Sequence, residues 1–165
     1  ALTSAGTAFG QYVKGIRSGK DASPKEEIRW EGEGGAPEPT DAPRNAVWND
    51  PGASLDSRAR AYLDINCSHC HNRVGPADTS GLLLEHDAPV GPPLGLCKLP
   101  IAAGKGTGGR LFGIVPGKAD QSIFTYRMES IDPSIMMPEL GRSLSHAEGT
   151  QLIAEWIAAM DGSCA

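Results

Sequence analysis

The chain has 165 residues, a formal charge of −5 and only 5% aromatic residues. This length fits one domain, or one domain with an appendage, that buries roughly two thirds of its unfolded surface. Acidic residues (20) outnumber basic ones (15), which argues against a nucleic-acid-binding protein, and no apolar run approaches the ~18 residues that cross a membrane. With 21 Gly and 13 Pro, much of the backbone must be turn and loop, so the chain needs something besides its apolar side chains to fold around.

The first third of the chain differs from the rest. Residues 7–16 hold a weak helical pattern, and residues 32–51 are rich in proline and glycine, which predicts an extended connection. We therefore expect a loop-rich N-terminal extension over residues 1–53, followed by a domain over residues 54–165. Three large apolar side chains are expected to pack the extension onto that domain: Trp30, Val47 and Trp48.

The domain is predicted to begin with a helix over residues 58–65, capped by Asp56 or Ser57. Four positions at helical spacing form a stripe that can face another helix: Ala59, Tyr62, Leu63 and Asn66.

That helix leads into the pentapeptide Cys67-Ser68-His69-Cys70-His71. The pattern C-x-x-C-H is typical of covalent c-type haem attachment. Two thiols at this spacing can each add to one haem vinyl group, and the histidine that follows then lies under the iron. The motif predicts one haem c held by Cys67 and Cys70, with His71 as an axial ligand whose other ring nitrogen donates to a backbone carbonyl in the 74–77 loop.

Two other uses of these cysteines are considered. A thioredoxin-type dithiol would follow a strand in a βαβ pattern, which the sequence does not show. A zinc site would need two histidines besides the thiols, and Cys97 and Cys164 lack the second paired-ligand spacing. The histidines near enough in sequence for such a site are His69, His71 and His86.

Cys97 and Cys164 remain as a pair. Haem c is attached on the oxidising side of a membrane, where thiols tend to oxidise, so we expect a disulfide and a periplasmic or extracellular location. The bridge would close a loop of about 67 residues and stabilise the fold by about 4 kcal/mol. The alternative is two unpaired buried thiols.

Two more helices are predicted, separated from the haem motif by loops. One spans residues 122–128 with Asp120 as its cap. The last begins at a capping box formed by Ser145 and Glu148 and runs to about Met160. Its apolar stripe is Leu152, Ile153, Trp156, Ile157 and Met160. The pattern as a whole predicts an all-α domain of three or more helices around one haem.

Residues 58–71, which read RARAYLDINCSHCH, resemble the start of cytochrome c domains in bacterial periplasmic haem proteins. Some of those proteins are fused to, or encoded beside, sugar-type quinoprotein dehydrogenases. The resemblance covers residues 54–165 and continues through Val115-Pro116-Gly117, Ser122, Tyr126, Arg127, Met137-Pro138-Glu139-Leu140-Gly141-Arg142 and Glu155-Trp156-Ile157. It implies a class I-like cytochrome c fold with His71 as the proximal ligand and a methionine as the distal one.

The distal ligand is expected to be Met137. Proline restricts the preceding residue to an extended backbone, so Pro138 presents Met137 from a loop, and Gly141 then lets the chain turn away. In the resembling domains the methionine directly before proline supplies the sulfur. Met136 is the alternative. Four other side chains are expected to pack in the core or to face solvent: Met128, Met160, His86 and His146.

Donors are also expected near the two haem propionates. Arg127 and Arg142 flank the expected distal loop, and arginine offers the planar contact that carboxylates prefer. Trp156 and Tyr126 could donate as well. The alternative is that both arginines are ordinary surface charges.

A haem with two axial ligands has no open position for a substrate. We therefore expect a protein that is not an enzyme but an electron carrier between redox partners with basic docking patches. The haem subunit of a dehydrogenase or of another redox complex is one form of such a carrier. One alternative is a haem enzyme or a gas or peroxide sensor with an open or displaceable distal site. Another is a structural subunit that joins a larger complex through residues 1–53.

Overall fold

A computed structural model describes residues 43–101 and 103–165. The predicted helix at residues 7–16, most of the proline-rich connection and Trp30 lie outside the described residues. Arg44–Ala165 form one compact unit. The boundary expected between residues 53 and 54 stays a prediction.

The described end of the extension contacts the rest of this unit. Trp48 packs against the hydrophobic core, and the Asn45 side-chain amide donates to Asp64 Oδ2 at 2.7 Å. Val47, by contrast, is 59% exposed and does not anchor the segment as expected. Trp48 and Asn45 therefore hold residues 44–53 against the rest of the unit.

The described residues are all-α, as predicted. The three α-helices are α1 (Leu55–Leu63), α2 (Ile123–Glu129) and α3 (Ala147–Ala158). Short 3₁₀ turns interrupt the connections at Asp78–Ser80, Pro92–Leu94, Gly104–Thr107 and Ala119–Gln121. Extended pairing in this part of the chain is limited to isolated bridges. None of the helices described is long and apolar enough to cross a membrane.

Helix α1 begins earlier than predicted. Ser54 is its cap, and its hydroxyl accepts a hydrogen bond from the Ser57 amide at 3.1 Å. Both predicted caps, Asp56 and Ser57, lie inside the helix, where the Asp56 carboxylate accepts from the Trp156 indole N–H at 2.8 Å. At its far end α1 continues into one π-helical turn, Asp64–Ser68, so the helix carries the chain directly into the haem motif.

The predicted cap of α2 is also wrong. Asp120 lies exposed in the Ala119–Gln121 turn, and the cap position belongs to Ser122. The Ser122 hydroxyl donates to the Lys118 carbonyl at 2.9 Å and accepts from the Val115 amide at 2.9 Å. It therefore ties the preceding loop together and does not cap the helix.

Helix α3 lacks the predicted capping box. The Ser145 hydroxyl donates to the Met128 carbonyl at 3.2 Å, and His146 takes the cap position without a side-chain capping bond. The helix ends at Ala158, short of Met160. Its apolar stripe is nevertheless the predicted one, since four of its side chains are buried: Leu152, Ile153, Trp156 and Ile157.

The core lies between α1 and α3, with α2 against α3. Ala59 and Leu63 of α1 are buried there, as the predicted stripe requires. Gly149 is what allows close approach at the start of α3, because a Cβ at that position would lie 2.3 Å from the Tyr62 side chain. This close contact holds the start of α3 beside the end of α1, where the haem motif follows.

Cys97 and Cys164 form a disulfide across 67 residues, with 5.2 Å between their Cα atoms. Cys67 and Cys70 are free thiols. The bridge therefore joins the cysteines that the haem motif leaves over, and it links the chain's last residues to the central loops.

We expect replacement of both Cys97 and Cys164 by alanine to lower the free energy of unfolding by about 2–4 kcal/mol, because the unfolded chain then loses a long closed loop. Denaturant unfolding followed by helical circular dichroism measures this change. Ser163→Ala, next to the bridge, is the matched control. An unchanged unfolding midpoint in the double variant would contradict the expected contribution.

Candidate functional site

The C-x-x-C-H motif is an extension of helix α1. The amides of Cys70 and His71 both donate to the Cys67 carbonyl, at 3.1 and 2.9 Å. Burial, with a smaller contribution from the Cys70 thiol, raises the pKa of Cys67 to about 12. The Cys67 thiol is thus protonated at neutral pH, which is opposite to the low-pKa thiolate that a catalytic dithiol needs.

The loop after the motif folds back onto it. The Ala77 amide donates to the Cys70 carbonyl at 3.1 Å, and the Leu84 amide donates to the His71 carbonyl at 3.0 Å. A Cβ on Gly75 would lie 2.3 Å from the Cys70 carbonyl oxygen, so the loop needs glycine there. The backbone on both sides of His71 is therefore held in place.

The His71 ring is held by a side chain that the sequence analysis did not identify. Its Nδ1 lies 3.0 Å from the Ser80 hydroxyl oxygen. The expected partner was a carbonyl of the 74–77 loop. One such carbonyl, that of Ala77, instead accepts a hydrogen bond from the Ser80 hydroxyl at 2.7 Å. A serine nine residues after the histidine has no sequence signature of this role.

Burial lowers the pKa of His71, and the nearby charges of Arg127 and His69 lower it further. Both effects favour the uncharged imidazole. This is the form in which histidine binds a metal.

A cavity of about 510 Å³ lies beside the motif. Its volume is within the range typical of cofactor sites. Cys67 lines the cavity from the end of α1, and Met137 lines it from the loop before α3. The fold thus brings two predicted haem-binding residues, 70 positions apart in sequence, to one cavity.

The cavity also exposes large apolar side chains. Ile65, Leu140 and Leu144 line it and are 66%, 83% and 78% exposed. Exposed apolar side chains that line a cavity are a common feature of ligand and partner sites. The wall thus combines apolar side chains with the Cys67 thiol and the Met137 thioether, groups that are compatible with a haem. Cys70 and His71 are not part of this wall.

The two neighbouring methionines, Met136 and Met137, differ in their position relative to the cavity. Met137 lines the cavity, with its amide donating to the Arg127 carbonyl at 3.0 Å. The peptide bond between Met137 and Pro138 is cis, and Gly141 has φ +80°, which places the predicted turn in the left-handed region. Met136 is half-buried and is not part of the cavity wall.

The other two methionines pack as expected. Met128 is 8% exposed and belongs to the core, although it also reaches the cavity wall. Met160 packs against the core.

Arg142 clamps this loop to the end of α2. Its Nε donates to the Pro138 carbonyl at 3.3 Å, and its Nη1 donates to the Met128 carbonyl at 3.0 Å. Its Nη2 donates to the carbonyls of Arg127 and Ser130 at 3.1 and 2.6 Å. The structure thus shows Arg142 bound to backbone oxygens, a role that the sequence analysis did not anticipate.

The other predicted propionate donors have varied surroundings. Arg127 Nε donates to the Ile135 carbonyl at 2.8 Å, and burial lowers the pKa of the guanidinium. Trp156 has no free donor for a carboxylate, because its indole N–H is bound to Asp56. The Tyr126 ring stacks under the guanidinium of Arg110, 4.3 Å from the ring centroid. Propionate contacts by Arg127 and Arg142 stay predictions.

Arg142→Ala is expected to destabilise the protein by about 2 kcal/mol, because several carbonyls lose a charged donor. The measurement is denaturant unfolding of the variant beside Arg73→Ala, which removes an exposed arginine from the loop after the motif. Equal unfolding midpoints for the two variants would show that the clamp contributes nothing.

The structure adds an aromatic cluster to the cavity. Tyr62 Oη and His146 Nδ1 are 3.0 Å apart, and their rings stack with centroids 5.7 Å apart. Trp48 meets the His146 ring edge-on at 5.0 Å. Tyr62 and His146 both line the cavity, and burial raises the pKa of Tyr62. His146, expected to be a solvated residue, is exposed but forms part of this wall.

The zinc alternative gains no support from the described residues. Among them, no group of three His, Cys, Asp or Glu side chains is close enough together to hold a metal ion. His86 is exposed in its loop, and His69 is exposed at the edge of the cavity.

Comparison with protein-family models, curated proteins and solved structures finds no match to this chain. Its function is therefore inferred from its own residues and their geometry.

Proposed function

We propose that this chain is a c-type cytochrome that carries one covalent haem and passes single electrons between partner proteins. One observation carries the proposal: Cys67 of the C-x-x-C-H motif and Met137 line the same apolar cavity. The ring of His71, next to the motif thiols, is held through Nδ1.

Each of these residues has a defined role in the proposal. Cys67 and Cys70 would hold the haem through thioether bonds, and His71 and Met137 would bind its iron. When bound, the haem supplies a one-electron couple, and methionine ligation favours a higher potential than two histidines would. Ile65, Leu140 and Leu144 would offer apolar contacts to the ring.

Three features of the fold support the more specific proposal of a class I-like cytochrome c fold. Helix α1 runs into the motif, α3 packs across α1, and the loop with Met137 precedes α3. The disulfide of Cys97 and Cys164 supports a periplasmic or extracellular location, where such bonds persist.

The proposed partners are redox proteins. The net charge of −5 favours partners with basic patches and predicts association that weakens as salt is added. The resemblance of residues 54–165 to cytochrome c domains associated with quinoprotein dehydrogenases makes a dehydrogenase a candidate donor.

The proposal is tested on the protein expressed with a haem-attachment system. We expect a reversible redox titration with a one-electron slope and a ferrous form that does not bind CO at once. A high-spin spectrum with rapid CO binding would contradict the proposed electron-carrier function and favour a haem enzyme or sensor. A protein that takes up no covalent haem would overturn both.

A further inference from the structure

We infer that Ser80 is a positioning residue for the proximal ligand: it holds His71 with its proton on Nδ1 and its lone pair on Nε2, and so sets the electron density that His71 offers the iron. The part of this inference that concerns the iron rests on the proposed function.

The backbone brings Ser80 to the ring. Ser80 ends the 3₁₀ turn Asp78–Ser80, and its amide donates to the Ala77 carbonyl at 3.0 Å. Gly81, with φ +62°, then turns the chain in the left-handed region and leads it back toward the motif. The Ser80 side chain is therefore held by the fold before it meets His71.

The contacts of the hydroxyl assign the protons. A serine hydroxyl has one hydrogen and two lone pairs. Its hydrogen goes to the Ala77 carbonyl at 2.7 Å, and one lone pair accepts from the Leu82 amide at 3.2 Å. The contact to His71 at 3.0 Å therefore uses the remaining lone pair, so Nδ1 is the donor. In a neutral imidazole this leaves Nε2 unprotonated and able to bind a metal.

The same contacts limit how strongly Ser80 can polarise the ring. A partner that accepts the Nδ1 proton makes a histidine ligand more basic, and a charged acceptor does so more strongly than a neutral one. Ser80 is a neutral acceptor that also serves Leu82. It orients His71 yet donates little charge to it, which favours the reduced iron relative to a carboxylate in the same place.

The test compares Ser80→Asp and Ser80→Ala with Thr79→Ala, which changes an exposed neighbour in the same turn. At a fixed ambient potential we expect Ser80→Asp to lower the ratio of reduced to oxidised haem about tenfold, a shift of about −59 mV for one electron. Ser80→Ala should raise that ratio, and Thr79→Ala should leave it unchanged. If the Ser80 variants match Thr79→Ala, the inference is wrong.

A second measurement does not depend on the potential. Nitrogen NMR of the purified protein should show a slowly exchanging proton on His71 Nδ1, which shifts or exchanges rapidly in Ser80→Ala but not in Thr79→Ala. If the wild type carries no haem, the proposed function fails, and the same spectrum still decides which nitrogen of His71 is protonated. A wild-type proton on Nε2, or one insensitive to Ser80, would overturn the inference while a reversible potential leaves the proposed function standing.

Discussion

The variant in which Cys67 and Cys70 are both alanine should carry no haem that survives denaturation, whereas the wild type should keep its haem when heated in SDS. The two thioethers are the only covalent links proposed, so the double variant retains neither of them and each single variant retains at most one. Haem staining of a denaturing gel measures the effect, and single variants should give weaker bands. The expected change is from full retention to none.

A matched control tests whether any loss of cysteine causes this result. The double variant of Cys97 and Cys164 removes the other pair of sulfurs, which form a disulfide. It should unfold more easily yet keep its haem in the gel. Extraction of haem from the wild type by acidified acetone would contradict covalent attachment altogether.

The distal ligand gives the second large effect. Met137→Ala should abolish the far-red charge-transfer band of the ferric protein and open the iron to CO, because it removes the thioether that lines the cavity. Met136→Ala is the matched control: the same residue type, one position earlier, half-buried but outside the cavity wall. It should leave both the band and the slow CO reaction nearly unchanged.

The other outcomes of this pair are equally informative. The reverse pattern would show that Met136 is the ligand. No change in either variant would exclude methionine ligation from this loop, and the cavity-lining His146 would then be the next side chain to replace.

Helix capping shows why local rules failed at several helix starts. Asp56 and Ser145 are good capping residues by type, but each is bound to a group far along the chain. The Asp56 carboxylate accepts from Trp156, 100 residues away, and the Ser145 hydroxyl donates to Met128. Residue type alone did not decide these helix starts, because such side chains can bond either a local backbone amide or a distant group.

Features that depend on neighbouring residues could be predicted from the sequence alone. The prediction of covalent haem attachment rests on the spacing of Cys67, Cys70 and His71 within five residues, and the preference for Met137 over Met136 rests on the proline that follows. Helical stripes were readable too, because burial repeats with the helical period: Ala59 and Leu63 are buried as predicted. These features need no knowledge of distant residues.

The surroundings of the site were decided only by tertiary structure. Ser80 reaches His71 because a 3₁₀ turn folds the loop back, and Arg142 binds carbonyls at the end of α2 that lie 12 to 15 residues away. Tyr62 and His146 meet across 84 residues. Such hydrogen bonds depend on where packing places each backbone segment, and no local pattern of residue types encodes that placement. The sequence by itself therefore determined the buried helical stripes and predicts the attachment chemistry, while the fold decided which side chains hold the His71 ring and enclose the cavity.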